Sequence, residues 1–178
     1  PSTSLKNSNL LIPKNLNQFY TVAEPHEKIN ILYSFLHTHK TAKCLVFLCS
    51  CKQVRFFSEI FKKFKLGMTI LDIHGRQKQH KRSSTFYTFS QKRNSVVLFA
   101  TDVASRGIDF PAIDWVIQLD APEDIPAYIH RVGRTARGPN GKGKAFLLLV
   151  DTEVSVIDDL LHKNIIVKEL EVFHVLTS

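Results

Sequence analysis

The sequence is poor in cysteine, methionine and tryptophan, with three Cys, one Met and one Trp among 178 residues. Cys44, Cys49 and Cys51 lie close together in one apolar region, which is a poor basis for a disulfide framework. No pair of cysteines or histidines has the spacing of a zinc site with a matching second pair. We therefore expect neither disulfides nor a bound structural metal, and a reducing, intracellular setting.

Long apolar runs are also missing. No stretch of 18 or more apolar residues is present, so we expect no membrane-spanning helix and no membrane partner. Residues 1–8 lack a charged-then-apolar leader, and no secretory signal is predicted. The hydrophobic share of 44% is normal for a globular core, and the length suits one domain, alone or with a tail.

Acidic residues are outnumbered. Lys and Arg total 24 against 16 Asp and Glu, which gives a net charge of +8. This balance favours an anionic partner such as nucleic acid. Many soluble proteins are equally basic without such a role, so charge alone leaves the question open.

Strand-like and helix-like segments alternate along the chain. The predicted strands are residues 18–22, 44–48, 69–73, 95–100, 113–119 and 144–150. Five helices are predicted: one that begins at Glu24-Pro25, one at 53–65, one at 79–89, one that follows an Asp124 cap, and one from Asp151 or Thr152 to about Leu161. This alternation predicts an α/β fold with a mainly parallel sheet flanked by helices on both faces. We expect a linker or arm at 1–17, a domain at 18–162 and an extension at 163–178, in which 165–175 forms a tail or an edge strand.

Polar and glycine-containing loops follow the predicted strands. In parallel sheets, ligands bind beyond the carboxyl ends of the strands. Residues 49–52, 74–82, 101–109 and the entry to the helix after Asp124 should therefore lie together on one rim.

The segment 128–137 is unusually cationic. If it is helical, His130, Arg134 and Arg137 lie within about 40° of one line, and Arg131 points about 100° away. Such a face is too cationic to bury without partners, and arginine is well suited to gripping phosphate. The alternative is a solvated basic helix face.

The loop 101–109 could also hold a phosphate. The Thr101 hydroxyl and the backbone amides after it are suitable donors, and Gly107 permits a close backbone approach. Asp109 could accept hydrogen bonds from a ribose hydroxyl. The alternative is a plain turn in which Asp102 pairs with Arg106.

Together these segments resemble a known family. Residues 100–109 and 128–137 resemble motifs V and VI of the DEAD-box RNA helicases, His74-Gly75 with Gln79 and Arg82 resembles their Gln-x-x-Arg element, and 45–50 resembles motif IV. The resemblance covers about residues 18–150, with order and spacing preserved. It implies the C-terminal RecA-like lobe of an ATP-dependent RNA helicase. Residues 47–52, 74–77 and 109–115 are most similar to the nucleolar Dbp4-like subgroup, which acts in small-subunit ribosomal RNA processing; the Has1-like subgroup is the runner-up.

The resemblance also implies residue roles. Arg134 and Arg137 would be arginine fingers on the γ-phosphate of ATP. It further implies nucleotide contacts for Gly107 and Asp109, coupling to the first lobe for His130, Arg131 and Arg106, and sequence-independent RNA backbone contacts for Ser50, Gly75, Gln79, Arg82 and Thr101. Cys49 stands where motif IV commonly carries Asn, which puts any RNA contact of that side chain in doubt.

Two expected motifs are missing from the sequence. There is no Gly-x-x-x-x-Gly-Lys-Ser/Thr phosphate loop and no Asp-Glu-Ala-Asp run; in the family both belong to the first lobe. The resemblance therefore implies ATP and Mg²⁺ as cofactors, with Mg²⁺ held by the N-terminal lobe, and no activity for this lobe alone. It also implies a monomer, a pre-ribosomal RNA partner and a nucleolar location. Two alternatives stay open: a non-enzymatic basic RNA-binding module and a DNA-directed helicase.

Overall fold

The computed structural model describes residues 12, 15–105, 107–136 and 141–171. The strands in this part of the chain are β1 Leu16–Val22, β2 Lys43–Phe47, β3 Thr69–Ile73, β4 Val96–Ala100, β5 Trp115–Gln118, β6 Gly143–Leu149 and β7 Lys168–Glu169. The helices are α1 Lys28–Thr38, α2 Cys51–Lys63, α3 Gln79–Gln91, α4 Asp102–Ser105, α5 Ile125–Val132 and α6 Ser155–His162, with a 3₁₀ turn at Asp151–Glu153.

The strands form one parallel sheet in the order β3-β4-β2-β5-β6-β1-β7. Strands β2 and β4 lie in the interior of the sheet, and all ten of their residues are buried. Continuous apolar runs suit this position because helices cover a parallel sheet on both faces. The predicted α/β architecture is confirmed.

Alternate residues of each strand enter separate cores. Val97 and Phe99 pack with α1 and α2 on one face of the sheet, whereas Leu98 and Ala100 pack with α3 on the other. The register of β5 and β6 places a third cluster, which includes α5 and α6, on the same face as α3. Both faces are therefore covered, as predicted. None of the described helices is long and apolar enough to cross a bilayer.

The predicted strands match the observed ones to within about two residues, and three helix starts differ. The terminal helix α6 begins at Ser155 and not after an Asp151 or Thr152 cap, because Asp151–Glu153 forms a separate 3₁₀ turn. The first helix does not begin at Glu24-Pro25: a turn closed by Glu27 N–H bonding the Glu24 carbonyl at 2.9 Å precedes α1. Helix α2 begins two residues early because Ser50 and Gln53 form a capping box.

Two further elements concern the predicted loop and tail. The loop 101–109 contains the short helix α4, which the sequence did not predict. In the extension, Lys168–Glu169 pairs with Phe19 and Tyr20 as an edge strand, one of the two predicted alternatives.

Candidate functional site

The carboxyl ends of β3, β4, β2 and β5 lie side by side, so the loops that follow them form one rim. Two depressions lie in this rim. The first, here called the rim cleft, is lined by Phe47, Cys49, Thr101, Asp102, Val103, Ala121, Glu123, Ala127, His130, Arg131 and Arg134. The second, the α3 groove, is lined by Gln79, Arg82, Ser83, Phe86, Gly107, Ile108 and Asp109. The predicted clustering of the four loops is therefore confirmed.

Helix α5 carries the first half of the arginine segment to the rim. Asp124 caps it by accepting the Ala127 N–H at 2.7 Å, and Pro126 lies in its first turn. The helix ends at Val132. From there Arg134 and Thr135 donate their N–H groups to carbonyls only three residues back, at 3.2 and 3.1 Å.

This ending corrects the predicted helical face. A helix through 128–137 would align His130 with Arg134 and Arg137, but the chain tightens after Val132, and Ala136 adopts a left-handed conformation with φ 55°. Arg134 therefore reaches the rim from a turn. Arg137 and Arg106 lie outside the described residues, and their predicted roles stay predictions.

Arg131 is buried, with 2% exposure. Its Nε and Nη2 donate to the two carboxylate oxygens of Asp102 at 2.8 and 2.6 Å. Its Nη1 donates to Gln118 Oε1 at 3.1 Å and to the Asp120 carbonyl at 3.0 Å, and the guanidinium lies 5.4 Å from the centre of the Phe47 ring. These contacts tie α5 to α4 and to the ends of β2 and β5. A role of Arg131 in coupling to another lobe stays a prediction.

Arg134 lies beside it in the rim cleft and is 7% exposed. Its Nη1 donates to the Ile108 carbonyl at 2.7 Å, and its guanidinium lies 5.7 Å from the Phe110 ring centre. These contacts fix the side chain against the segment that carries Gly107 and Asp109. His130, the other predicted residue of α5, is exposed at the opening of the cleft.

Asp120 organises the end of β2, and sequence reasoning missed it. Its Oδ2 accepts the Cys49 N–H at 2.9 Å, while its carbonyl accepts from Arg131. The Cys49 thiol donates to Gln53 Oε1 at 2.8 Å, and burial together with the Asp120 charge raises the pKa of this thiol. The Ser50 hydroxyl is engaged in capping α2. Asp120 directly follows β5, so the rule that polar groups at strand ends form sites could have found it.

The residues predicted to contact RNA and those predicted to contact the nucleotide do not occupy separate depressions. Gln79 and Arg82, predicted to contact RNA, share the α3 groove with Gly107 and Asp109, predicted to contact the nucleotide. Thr101, which follows β4 and is also predicted to contact RNA, lines the rim cleft instead. Its Oγ1 is buried and has no hydrogen-bond partner among the described residues. Gly75 is exposed at the turn before α3.

Metal binding has no visible basis in this part of the chain. Among the described residues, no group of three or more His, Cys, Asp or Glu side chains is placed to hold a metal ion. The rim offers guanidinium groups, a hydroxyl, an imidazole and backbone amides, which suit a phosphate-bearing ligand. The carboxylates of Asp102, Glu123 and Asp109 line the same two depressions, and that of Asp102 is paired with Arg131.

Gly143 controls the position of the turn that carries Arg134. A Cβ at residue 143 would lie 2.5 Å from Thr135 Oγ1 and 2.7 Å from Ala136 Cβ. We expect Gly143→Ala to destabilise the protein by about 1–3 kcal/mol, as overpacking does, measured by urea unfolding. Gly75→Ala is the control, because a Cβ at residue 75 would meet no neighbouring group within 4 Å. Equal stability of the two variants would contradict this prediction.

Comparisons with known proteins agree with this geometry. The pattern of the family described as "Helicase conserved C-terminal domain" matches residues 27–139. The "ATP-dependent RNA helicase dbp4" of Schizosaccharomyces pombe is 50% identical over 167 residues, which are 94% of this chain and 22% of that protein. The chain thus spans about a fifth of the length of such relatives.

Solved structures share the fold. A DEAD box protein from the hyperthermophile Methanococcus jannaschii superposes with a TM-score of 0.78 at 29% identity, covering 90% of this chain and 43% of that one. The structure described as "Mss116p DEAD-box helicase domain 2 bound to an RNA duplex" superposes with a TM-score of 0.73 at 28% identity, covering 92% of this chain and 70% of that one. Both support a RecA-like fold.

Proposed function

The chain belongs to the helicase conserved C-terminal domain family, as a C-terminal DEAD-box lobe of the Dbp4-like subgroup, and from this premise we propose that it contributes arginine fingers and part of the RNA-binding surface to an ATP-dependent RNA helicase. The rim cleft carries the proposal. In it Thr101, His130 and Arg134 meet at the carboxyl edge of a parallel sheet, where such folds bind ligands.

Arg134 is the proposed finger on the γ-phosphate of ATP. Its contacts with Ile108 and Phe110 preorganise the guanidinium at the rim, so it need not be ordered when a phosphate arrives. A second finger at Arg137 rests on the motif resemblance. In phosphoryl transfer, such groups stabilise the charge that develops on the transferred phosphoryl oxygens.

The phosphate itself must come with another lobe. The sequence holds no phosphate loop, and the described residues offer no carboxylate cluster for a cation. We therefore assign ATP cradling and Mg²⁺ binding to an N-terminal RecA-like lobe. Closure of the two lobes would bring Arg134 to the nucleotide, and Asp109 at the α3 groove would face the ribose.

RNA is the proposed polymer ligand. Gln79 and Arg82 lie one turn apart on α3 and line one groove, and the net charge is +8. The related domain 2 of Mss116p is described as bound to an RNA duplex. With Gly75, Ser50 and Thr101, these residues would hold phosphates and sugars without reading sequence. Closure on ATP would bend one strand and part a short duplex, and hydrolysis would reset the open state.

The resemblance to the Dbp4-like subgroup also motivates a proposal for where this reaction takes place. We assign the lobe to ribosomal RNA processing in the nucleolus, with pre-ribosomal RNA as substrate and a monomeric protein as the working form. The identity to the S. pombe dbp4 helicase supports this assignment.

The test joins the lobe to its N-terminal lobe and measures ATP hydrolysis with RNA, with DNA and without either. We expect strong stimulation by RNA, weak stimulation by DNA, and no turnover by the isolated chain. Equal stimulation by both polymers would favour the DNA-directed helicase. RNA binding without any ATP hydrolysis by the joined protein would favour the basic RNA-binding module.

A further inference from the structure

A third depression lies at the outer edge of the sheet, beside β3. This edge pocket is formed by α2, the end of β3, the turn at residues 74–78 and the start of α3. Its walls include Lys52, Arg55, Asp72, His74, Arg76 and Lys81. None of these residues lines the rim cleft or the α3 groove, and the motif resemblance gives none of them a role.

The central carboxylate of the pocket is already satisfied. Asp72 accepts hydrogen bonds from Ser58 Oγ at 3.0 Å, Lys62 Nζ at 3.1 Å and Gln77 Nε2 at 2.6 Å. Burial opposes the charge of Asp72, but its bonds with Lys62 and Ser58 hold the pKa of its carboxyl below the ordinary value. Lys62 is therefore the ion-pair partner of Asp72, and the charge of Lys81 stabilises the same carboxylate from further away.

Four other cations line the pocket. Lys52, Arg55, Arg76 and Lys81 have no carboxylate within 4.0 Å in the described part of the chain. Glu59 is the other acidic residue of the lining, so the walls hold five cations, counting Lys62, and two carboxylates. The cations of α2, the turn and α3 therefore exceed the carboxylates of this lining by three, and such an excess of positive charge favours an anionic ligand.

His74 supplies a second, independent observation. Its side chain lines the pocket and only 6% of the residue is exposed, yet its Nδ1 has no hydrogen-bond partner among the described residues. Buried polar atoms are nearly always paired, so an unpaired nitrogen within the wall of a charged pocket is a second sign that the pocket is completed by a ligand. Burial lowers the pKa of His74, Asp72 opposes this, and Arg55, Arg76 and Lys81 reinforce it.

We propose that the edge pocket binds a backbone phosphate of RNA, outside the α3 groove, with Arg55 and Arg76 as its main cations and the His74 ring in its wall. The inference rests on the proposed RNA-binding function and extends the RNA path beyond it. The turn 74–78 joins the pocket to Gln79, the first residue of α3. A strand that crosses Gly75 can therefore contact both places.

The test is the salt dependence of RNA binding by the two-lobe protein. The slope of log K against log salt is negative, and we expect Arg55→Gln/Arg76→Gln to reduce its magnitude by about 0.7 for each lost phosphate contact on single-stranded RNA. Both side chains are exposed, and thermal unfolding confirms that the variant folds. Lys63→Gln/Lys65→Gln is the matched control: both residues are exposed, neither lines the pocket, and the charge change is identical.

Free phosphate is the competing source of the same chemistry. NMR of the His74 ring during titration with inorganic phosphate, and separately with RNA, distinguishes the two. A saturable shift with phosphate alone, together with an unchanged salt slope in the variant, would overturn the RNA assignment, as would equal slopes for variant and control. A variant that does not fold is replaced by Lys52→Gln/Lys81→Gln. RNA-stimulated ATP hydrolysis by the wild-type protein, measured in parallel, tests the proposed function separately. An unchanged salt slope contradicts the edge-pocket proposal alone, whereas absent RNA-stimulated hydrolysis contradicts the proposed function.

Discussion

Arg134→Ala in the two-lobe protein is expected to lower kcat for ATP hydrolysis by about a thousandfold or more, within the range measured for arginine fingers. Its guanidinium is held at the rim by the Ile108 carbonyl and the Phe110 ring. An interaction made only in the transition state lowers kcat and kcat/KM together. We therefore expect KM for ATP to change much less than kcat in steady-state assays.

The same contacts give Arg134 a structural role, and the design must separate the two. Arg134→Lys keeps the positive charge but lacks the planar fork, so we expect it to fold and still lose most of the activity. Arg93→Ala, at an exposed position before β4, removes an arginine without touching the rim. Retention of kcat within tenfold by a folded Arg134→Ala protein would eliminate the finger assignment.

The sheet was predictable because burial dictates its sequence. Strands enclosed on both faces must be apolar at every position, and residues 44–48 and 96–100 satisfy this condition in the sequence and in the structure. The clustering of loops at the rim then follows from parallel strand direction alone. The strands, most helices and the clustering of the rim loops were thus accessible without coordinates, whereas the short helix α4 was not.

The end of α5 was harder to predict. The apolar and cationic spacing continues past residue 132, so periodicity gave no reason to stop there. Gly133 was the available signal, because glycine is common near helix ends. The tightening into bonds three residues back, and the left-handed Ala136, depend on packing against Gly143 in β6. Periodicity cannot report such a contact between residues distant in sequence.

Burial of Arg131 and the edge pocket were missed for a related reason. The face of His130, Arg134 and Arg137 was expected to avoid burial, yet Arg134 is only 7% exposed. Arg131, predicted to point away from that face, is buried because Asp102, 29 positions away, supplies a bidentate partner. The pocket likewise gathers Arg55, Arg76 and Lys81 from three separate elements. Each of these residues resembles an ordinary surface cation when considered within its own element. Only the tertiary arrangement shows that they share one space.

The ion pair between Arg131 and Asp102 leads to the largest expected stability effect. Removing one partner of a buried pair costs about 3–5 kcal/mol, because the other charge stays buried without compensation. The Asp102 side chain is 29% exposed, whereas that of Arg131 is 2% exposed. Arg131 also keeps its bonds to Gln118 and to the Asp120 carbonyl. We therefore expect Asp102→Ala to lower the free energy of unfolding by about 2–3 kcal/mol, at or below the lower limit of that range.

Urea unfolding of Asp102→Ala, Arg131→Met and the double variant measures the pair directly. Since Arg131→Met also leaves the fully buried Gln118 side chain without its donor, we expect it to be at least as destabilising as Asp102→Ala. The double variant should be destabilised by less than the sum of the two single destabilisations, because the same ion pair is broken in both single variants. Lys62→Ala is the reference, since it breaks an ion pair whose lysine is 49% exposed and should cost less than about 1 kcal/mol. If Asp102→Ala costs no more than Lys62→Ala, the Arg131 pair does not hold α4 and α5 together, and the rim cleft must owe its shape to packing alone.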